Sequence, residues 1–252
     1  MSDAGGHGQS PRRYSPAPTS LLCRVPPQRT VVPNTTEGTD VTHLLFWLAA
    51  ACALAYLPLS PRPASVLRTV LKTASVAVLA LVALLSGGAT LLVVALGLCS
   101  VGDALLSRES DTTFMAGIGS FAAGHIAYIA LFLTHPGSNF DLILERPGYF
   151  WSLLILGIVA ATLLAPRAGE LKLPVLLYIP IILGMGVAVL SLPETGMLRW
   201  ALPAALAFIA SDLVLATEKF LLPQDHPALK LTPYLVWPLY WGAQAGLLIA
   251  FT

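Results

Sequence analysis

Two aspartates lie inside apolar stretches of the chain, each directly after a small residue. Asp103 follows Gly102 in a run that begins near Gly88, and Asp212 follows Ser211 in a second run. An ionisable side chain inside a membrane-length segment is costly and usually faces the protein interior or a water-filled cavity. Two carboxylates in one poorly solvated pocket can divide acid–base chemistry, one holding a proton while the other stays ionised. The alternative for each is a solvated position at a helix end, near the lipid headgroups.

Five further polar residues are candidates to surround these carboxylates. Lys72 is interpreted as a residue that neutralises an acid or holds a lipid phosphate, or else extends its ammonium to the headgroups. His125 is the only histidine deep inside an apolar run, so a zinc site, which normally needs at least three protein ligands, is not expected. Tyr128 lies one helical turn from His125, and Tyr240 and Gln244 share a face of the last helix. These side chains either belong to the site or join helices by hydrogen bonds.

The composition places most of the chain in lipid. Of its 252 residues, 56% are hydrophobic and 11% are charged, whereas soluble domains carry about 25% charged residues. The mean hydropathy is +0.77. The net charge is +1, and no basic stripe interleaved with aromatic residues is present, so nucleic-acid binding is not expected.

Eight apolar runs are long enough to cross a bilayer, which takes ~20 residues, with about 17 tolerated. The predicted spans are His43 to Leu59, Ser65 to Leu85, Gly88 to Leu106, Phe114 to Leu133, Tyr149 to Ala165, Leu173 to Leu190, Leu198 to Thr217 and Thr232 to Phe251. The predicted fold is therefore an all-α polytopic membrane protein, with eight transmembrane helices in a catalytic domain of residues 41–252. Residues 1–40, rich in Pro, Ser, Gly and Arg, lack the apolar segment of a signal peptide and are predicted to be a disordered tail.

The distribution of basic residues predicts how the site is oriented. The loops after helices one, three, five and seven carry most of the lysines and arginines, whereas the opposite loops carry Arg146 and Arg199. The positive-inside rule makes the first set cytoplasmic, although arginines in the N-terminal tail oppose this. Both aspartates lie near the ends of helices that run towards the basic side. We therefore expect one site on helices two, three and seven that opens towards that side.

The order of the polar residues also suggests an internal repeat. Asp103 lies in the third of the first four helices, and Asp212 lies in the third of the last four. The helices that follow carry Gly124-His125 and Ala243-Gln244 at comparable depths. The hypothesis is a pair of parallel four-helix repeats, an arrangement known among membrane proteins.

Four segments of the chain together resemble the lysoplasmalogenase (YhhN-like) family. They are Val101-Gly-Asp-Ala-Leu-Leu106, Phe114-Met-Ala-Gly-Ile-Gly-Ser-Phe-Ala-Ala-Gly-His-Ile-Ala-Tyr128, Ala210-Ser-Asp-Leu-Val-Leu-Ala216 and Tyr240-Trp-Gly-Ala-Gln244. The resemblance covers the membrane region from about Lys72 to the C-terminus. It implies a membrane hydrolase that cleaves the vinyl ether of lysoplasmalogens, releasing a fatty aldehyde and glycerophosphocholine or glycerophosphoethanolamine.

The chemistry implied by this resemblance suits the polar residues of the chain. One carboxylic acid would protonate the vinyl ether at carbon to give an oxocarbenium ion, and an ionised carboxylate would stabilise the cation and activate water, as in glycosidases. Asp103 and Asp212 are the predicted catalytic pair, with the acid and base roles left open between them. The predicted binding or supporting residues are Lys72, His125, Tyr128, Ser211, Tyr240 and Gln244.

The resemblance also sets the expected partners. No metal or organic cofactor is expected, and the partners are a lysophospholipid substrate and the bilayer, without nucleic acid and with the oligomeric state left open. The membrane would be that of the endoplasmic reticulum in a eukaryote and the cytoplasmic membrane in a bacterium.

A function of another class fits the same residues. A small transporter or lipid-binding protein could use a proton-titrating pair of aspartates. A transporter would favour aspartates that are reached alternately from both sides of the membrane. Because both acids are predicted near one side, the sequence favours the enzyme.

Overall fold

The computed structural model describes residues 35–108 and 110–252, with side chains from residue 40 onward. These ranges form helices joined by short turns, without a strand, so the predicted all-α class is confirmed. The long helices are α1 Thr35–Tyr56, α2 Val66–Leu85, α3 Thr90–Leu106, α4 Asp111–Thr134, α5 Pro147–Leu164, α6 Lys172–Ala188, α7 Ala201–Phe220 and α8 Thr232–Phe251. The predicted disordered tail, residues 1–40, lies outside the described residues except for the start of α1, and it stays a prediction.

Seven of the eight long helices in the described ranges are long and apolar enough to cross a membrane. The exception is α3, whose 17 residues extend ~25 Å at 1.5 Å per residue, short of the ~30 Å hydrocarbon core. Large apolar side chains such as Trp47, Leu54 and Ile155 are exposed on the outside of the bundle. The chain is therefore an integral, multi-pass membrane protein. The number of apolar helices agrees with the prediction of eight, but α3 is too short to count as a full span.

Local sequence signals define the residues at which α2 and α4 begin. Ser65 caps the first turn of α2, where its hydroxyl accepts a hydrogen bond from the Arg68 amide at 3.2 Å. Ser110 caps α4 in the same way and accepts from the Thr113 amide at 3.2 Å. A serine at this position satisfies an amide that has no partner within the helix, so each helix begins at a defined residue. The start of α2 at Val66 places Lys72 six residues into this helix.

A tight turn joins α2 to α3. Gly87 has φ of +68°, a left-handed conformation that glycine adopts readily. The amides of Gly87 and Gly88 donate to the carbonyls of Leu84 and Ala83, at 3.2 and 2.8 Å. This arrangement ends α2 and reverses the chain within residues 86–89, so that α2 and α3 form a hairpin.

Glycines allow α3 and α4 to pack closely. A Cβ atom on Gly102 would lie 2.7 Å from the ring of Phe121, and one on Gly124 would lie 3.0 Å from the sulfur of Cys99. Since larger residues would push the two helices apart, these glycines set the distance between Asp103 on α3 and the residues of α4 that face it.

Candidate active site

A cavity of about 330 Å³ lies among the helices at the basic end of the bundle. Most of its wall is apolar, as is common for pockets that bind small molecules. Its lining includes residues near the ends of α1, α3, α5 and α7 and near the starts of α2, α4, α6 and α8. The polar residues deeper in the wall are Lys72, Asp103, Tyr178, Ser211, Asp212 and Tyr240. The cavity therefore contains both aspartates and lies towards the side from which the sequence predicted access.

Asp103 is fully buried and is held by two side chains. Its Oδ1 lies 3.1 Å from the ammonium of Lys72, and its Oδ2 accepts a hydrogen bond of 2.7 Å from the hydroxyl of Tyr240. Lys72 thus turns inward to the acid instead of outward to the headgroups, and Asp103 is not a solvated residue at a helix end. A buried carboxylate is stable only with such compensation, because an unpaired charge in this environment is costly.

Asp212 has partners of a different kind. Its Oδ2 accepts a hydrogen bond of 2.6 Å from the hydroxyl of Tyr178 and lies 3.9 Å from Nε2 of His125. Its side chain is 17% exposed, and it lines the cavity. Among the ion pairs of the described residues, none joins Asp212 to a lysine or arginine. The one hydrogen-bond donor to this carboxyl group among the described residues is the neutral hydroxyl of Tyr178.

The tautomer of His125 follows from its backbone contact. Its Nδ1 lies 2.7 Å from the carbonyl oxygen of Phe121, and because a carbonyl can only accept, Nδ1 carries the hydrogen. In the neutral ring Nε2 is then an acceptor, and it has no hydrogen-bond partner within the described residues. The distance of 3.9 Å to Asp212 is longer than a hydrogen bond. His125 can therefore accept a proton or a hydrogen bond on the side of Asp212.

The ring of Phe208 separates the partners of the two aspartates. Its centroid lies 4.5 Å from that of His125 and 5.3 Å from that of Tyr240. Phe208 is fully buried and lies one helical turn before Asp212 on α7. An apolar group thus lies between the two polar clusters.

The remaining predicted residues link helices. Tyr128 donates a hydrogen bond of 2.5 Å to Oε1 of Gln244, and both residues are fully buried outside the cavity lining. Ser211 lines the cavity, but its hydroxyl donates to the carbonyl of Val236 at 3.1 Å and so joins α7 to α8. These contacts match the interhelical interpretation of Tyr128 and Gln244, and they give Ser211, predicted as a binding or supporting residue, an interhelical contact as well.

The two aspartates follow the same plan of contacts, which the repeat hypothesis predicts. Asp103 on α3 contacts Lys72 on α2 and Tyr240 on α8, whereas Asp212 on α7 contacts Tyr178 on α6 and approaches His125 on α4. Each acid therefore meets the preceding helix of its own half and the last helix of the other half. Common origin of the two halves stays a hypothesis.

Tyr178 and Arg68 are among the cavity residues that the sequence did not predict. A signal for Tyr178 was present, because it lies six residues into α6, as Lys72 lies six residues into α2. Under the repeat hypothesis these two positions correspond. Arg68 was counted with the loop residues, and no feature of the sequence placed it in the site. Within residues 35–108 and 110–252, no three His, Cys, Asp or Glu residues come together as metal ligands.

The family of the chain follows from its match to a known protein family. The chain matches the YhhN family over residues 67–251. It belongs to that family. The matched region contains α3 to α8 and nearly all of α2, so every predicted site residue lies within it, and the resemblance to a lysoplasmalogenase-type family is confirmed at the level of the family. Comparisons with curated proteins and with solved structures give no match.

Proposed function

We propose that this YhhN-family protein hydrolyses the vinyl ether of lysoplasmalogens, giving a fatty aldehyde and glycerophosphocholine or glycerophosphoethanolamine. The observation that carries the proposal is the cavity in which Asp103 and Asp212, with unlike partners, line an otherwise apolar space. Vinyl-ether hydrolysis needs one group that gives a proton to carbon and another that supports the cation formed.

Asp212 is the general acid in this proposal. Tyr178 donates to Oδ2, so a proton on this carboxyl group belongs on Oδ1, to which no described residue donates. From there it is transferred to the vinyl carbon that is not bonded to oxygen. The double bond shifts, and the carbon attached to the ether oxygen becomes part of an oxocarbenium ion.

Asp103 is the ionised partner. The ammonium of Lys72 balances its charge, and its oxygens keep lone pairs beyond the two contacts already made. The carboxylate stabilises the oxocarbenium ion and accepts a proton from the water that adds to it. As the hemiacetal collapses, Asp103 gives this proton to the leaving glycerol oxygen and Asp212 takes the proton of the hemiacetal hydroxyl, so aldehyde and alcohol form and both carboxyl groups return to their starting states.

The position of the cavity supports an enzyme more than a transporter. Its lining residues come from one end and the middle of the bundle, with none from the turns at the other end, in residues 86–89, 134–146 and 189–200. The apolar part, on α5 and α6, includes Leu156, Ile179 and Leu183 and suits the hydrocarbon chain of a lysolipid.

The test is incubation of the purified protein in detergent with a 1-alkenyl lysophospholipid, followed by measurement of released aldehyde. The saturated 1-alkyl analogue should bind and inhibit competitively without being cleaved, because it cannot form an oxocarbenium ion by protonation at carbon. Chelators should leave the rate unchanged, since the mechanism uses no metal. An ester-linked 1-acyl lysolipid should be a poor substrate. Ester hydrolysis at a comparable rate would instead indicate a general lysophospholipase.

A further inference from the structure

Arg68 lines the cavity at its outer end. It lies in the first turn of α2, four residues before Lys72, so the two side chains share a face of the helix. Its Nη2 donates to the carbonyl of Ser60 at 3.1 Å, and its guanidinium carbon lies 5.9 Å from the ring centroid of Tyr56. These contacts hold the guanidinium in one place at the wall.

Arg68 lacks a counter-charge among the described residues. The charge of Lys72 is balanced by Asp103, and no ion pair of the described residues includes Arg68. Glu218 also lines the cavity but forms no ion pair with it. In addition, Nε of Arg68 is buried and has no hydrogen-bond acceptor within the described part of the chain. Because a guanidinium stays charged and an unsatisfied buried donor is costly, this position favours an anionic ligand.

A second positive charge lies on another wall of the same cavity. Lys219, near the end of α7, also lines it, and its ammonium lies 4.8 Å from the ring centroid of Phe114 on α4. A lysine and an arginine that line the same cavity are suited to a phosphate, which arginine binds through parallel hydrogen bonds.

We propose that Arg68 binds the phosphate of the lysophospholipid headgroup, with Lys219 adding positive charge from α7. This inference rests on the proposed function and names the part of the substrate that the outer end of the site recognises. The spacing agrees with it, since four residues of α2 separate the levels of Arg68 and Lys72 by ~6 Å. The three-carbon glycerol that links phosphate to vinyl ether has a length of the same order.

The test compares two substrates in wild-type protein and in Arg68→Gln. One substrate is a 1-alkenyl lysophosphocholine, and the other is a 1-alkenyl glycerol, which has the same vinyl ether and no phosphate. Arg68→Gln should raise KM for the first by about 10- to 100-fold, the range expected for lost hydrogen bonds to a charged group. The KM for the second should stay unchanged.

Two further variants serve as controls. Arg62→Gln removes an exposed arginine at the same end of the bundle, outside the cavity lining, and should change neither KM. Arg68→Lys keeps the charge but loses the planar fork, so its KM for the phospholipid should lie between those of wild type and Arg68→Gln. If Arg68→Gln does not fold, Arg68→Lys is compared with wild type instead. A rise in KM for the phospholipid without a rise in KM for the 1-alkenyl glycerol then supports phosphate binding, and equal changes overturn it.

Equal losses with both substrates would overturn phosphate binding and make Arg68 a structural residue. Competition assays with glycerophosphocholine and with inorganic phosphate distinguish a site for the lipid headgroup from a site for a free anion. Competition by inorganic phosphate as strong as that by glycerophosphocholine would overturn the headgroup assignment.

Failure of the proposed function has a different signature, because wild-type protein would then cleave neither substrate. Binding of the uncleavable 1-alkyl lysophosphocholine, measured by calorimetry in detergent, still tests Arg68 in that case. We expect weaker binding in Arg68→Gln than in wild type, and equal binding would refute the inference.

Discussion

Asp103 and Asp212 lie at matching places in two helices, α3 and α7, but their neighbours differ in charge. A lysine and a tyrosine hold Asp103, whereas a tyrosine holds Asp212 and a histidine lies near it. Asp103 is fully buried, and Asp212 keeps part of its surface open to the cavity. The two acids thus share a position in the helix order, while an ammonium pairs with one and a neutral hydroxyl donates to the other.

Position within a helix does not by itself determine the contacts of these two aspartates. Both aspartates follow a small residue and lie near a helix end, so the chain around each one looks alike. The difference comes from the second helix of each half, where Lys72 and Tyr178 lie at the same distance from the helix start. The last helix of the opposite half adds a second difference, Tyr240 beside Asp103 and His125 beside Asp212.

The largest expected effect comes from replacing either acid. Asp103→Asn and Asp212→Asn should each lower kcat by about 10²–10⁴-fold, because an amide neither transfers the proton nor carries the charge. The two variants should differ in stability. Asp103→Asn leaves Lys72 without its counter-ion and should lower the unfolding temperature in detergent, whereas Asp212→Asn still offers an acceptor to Tyr178. Equal unfolding temperatures would contradict the assignment of the charge to Asp103.

Replacing Lys72, the cation that pairs with Asp103, should have the next largest effect. Lys72→Met leaves Asp103 buried and unpaired, which costs roughly 3–5 kcal/mol of unfolding free energy for a buried ion pair. The double variant Lys72→Met/Asp103→Asn should recover much of that loss, because neither charge is then left alone. Unfolding of the four proteins in detergent measures the coupling, and simple additivity would show that the ion pair has no energetic role.

Replacing the tyrosines that contact the two aspartates should have a smaller effect on kcat, and the size of the effect should differ between the two acids. Tyr178→Phe should lower kcat by about 10- to 100-fold, because Asp212 becomes charged as it gives up its proton, a hydrogen bond to a charged group contributes about 1.5–3 kcal/mol, and no ionic partner replaces it. Tyr240→Phe should have less effect, because Lys72 still holds Asp103. Rates measured for both variants under the same conditions check the order, and a larger loss in Tyr240→Phe would reverse the proposed roles.

The smallest effect is expected at Tyr128. Tyr128→Phe removes the hydrogen bond to Gln244 and should lower the unfolding free energy by about 1 kcal/mol. Since neither residue lines the cavity, kcat and KM should stay near those of wild type. This variant is also the matched control for the other two tyrosine substitutions.

Apolar run lengths predicted the helices well because a bilayer-spanning helix must keep its backbone hydrogen bonds within itself. The last helix was predicted at its observed bounds, Thr232–Phe251. The first begins at Thr35, eight residues before the predicted start at His43, since its polar first turns carry no hydropathy signal.

Side-chain contacts were harder to predict than helices. The convergence of Lys72 and the two aspartates on one cavity followed from helix direction and depth. The inward position of Lys72 and the contact of Tyr178 with Asp212 depend on how each helix is rotated about its axis. Sequence spacing within one helix holds no information on that rotation relative to another helix, so the alternatives for Lys72 stayed open and Tyr178 was missed.

The ion pair between α2 and α3 has a consequence for how the chain enters the membrane. A lysine or an aspartate within an inserting helix is costly, up to about 2.5–3.5 kcal/mol at the helix centre, and α3 is short as well as charged. The turn of residues 86–89 is tight enough that both helices can enter as one hairpin with Lys72 and Asp103 already neutralising each other. We therefore expect α3 to insert efficiently during biogenesis only together with α2, so the contact that holds Asp103 in the finished protein also assists the insertion of α3 into the bilayer.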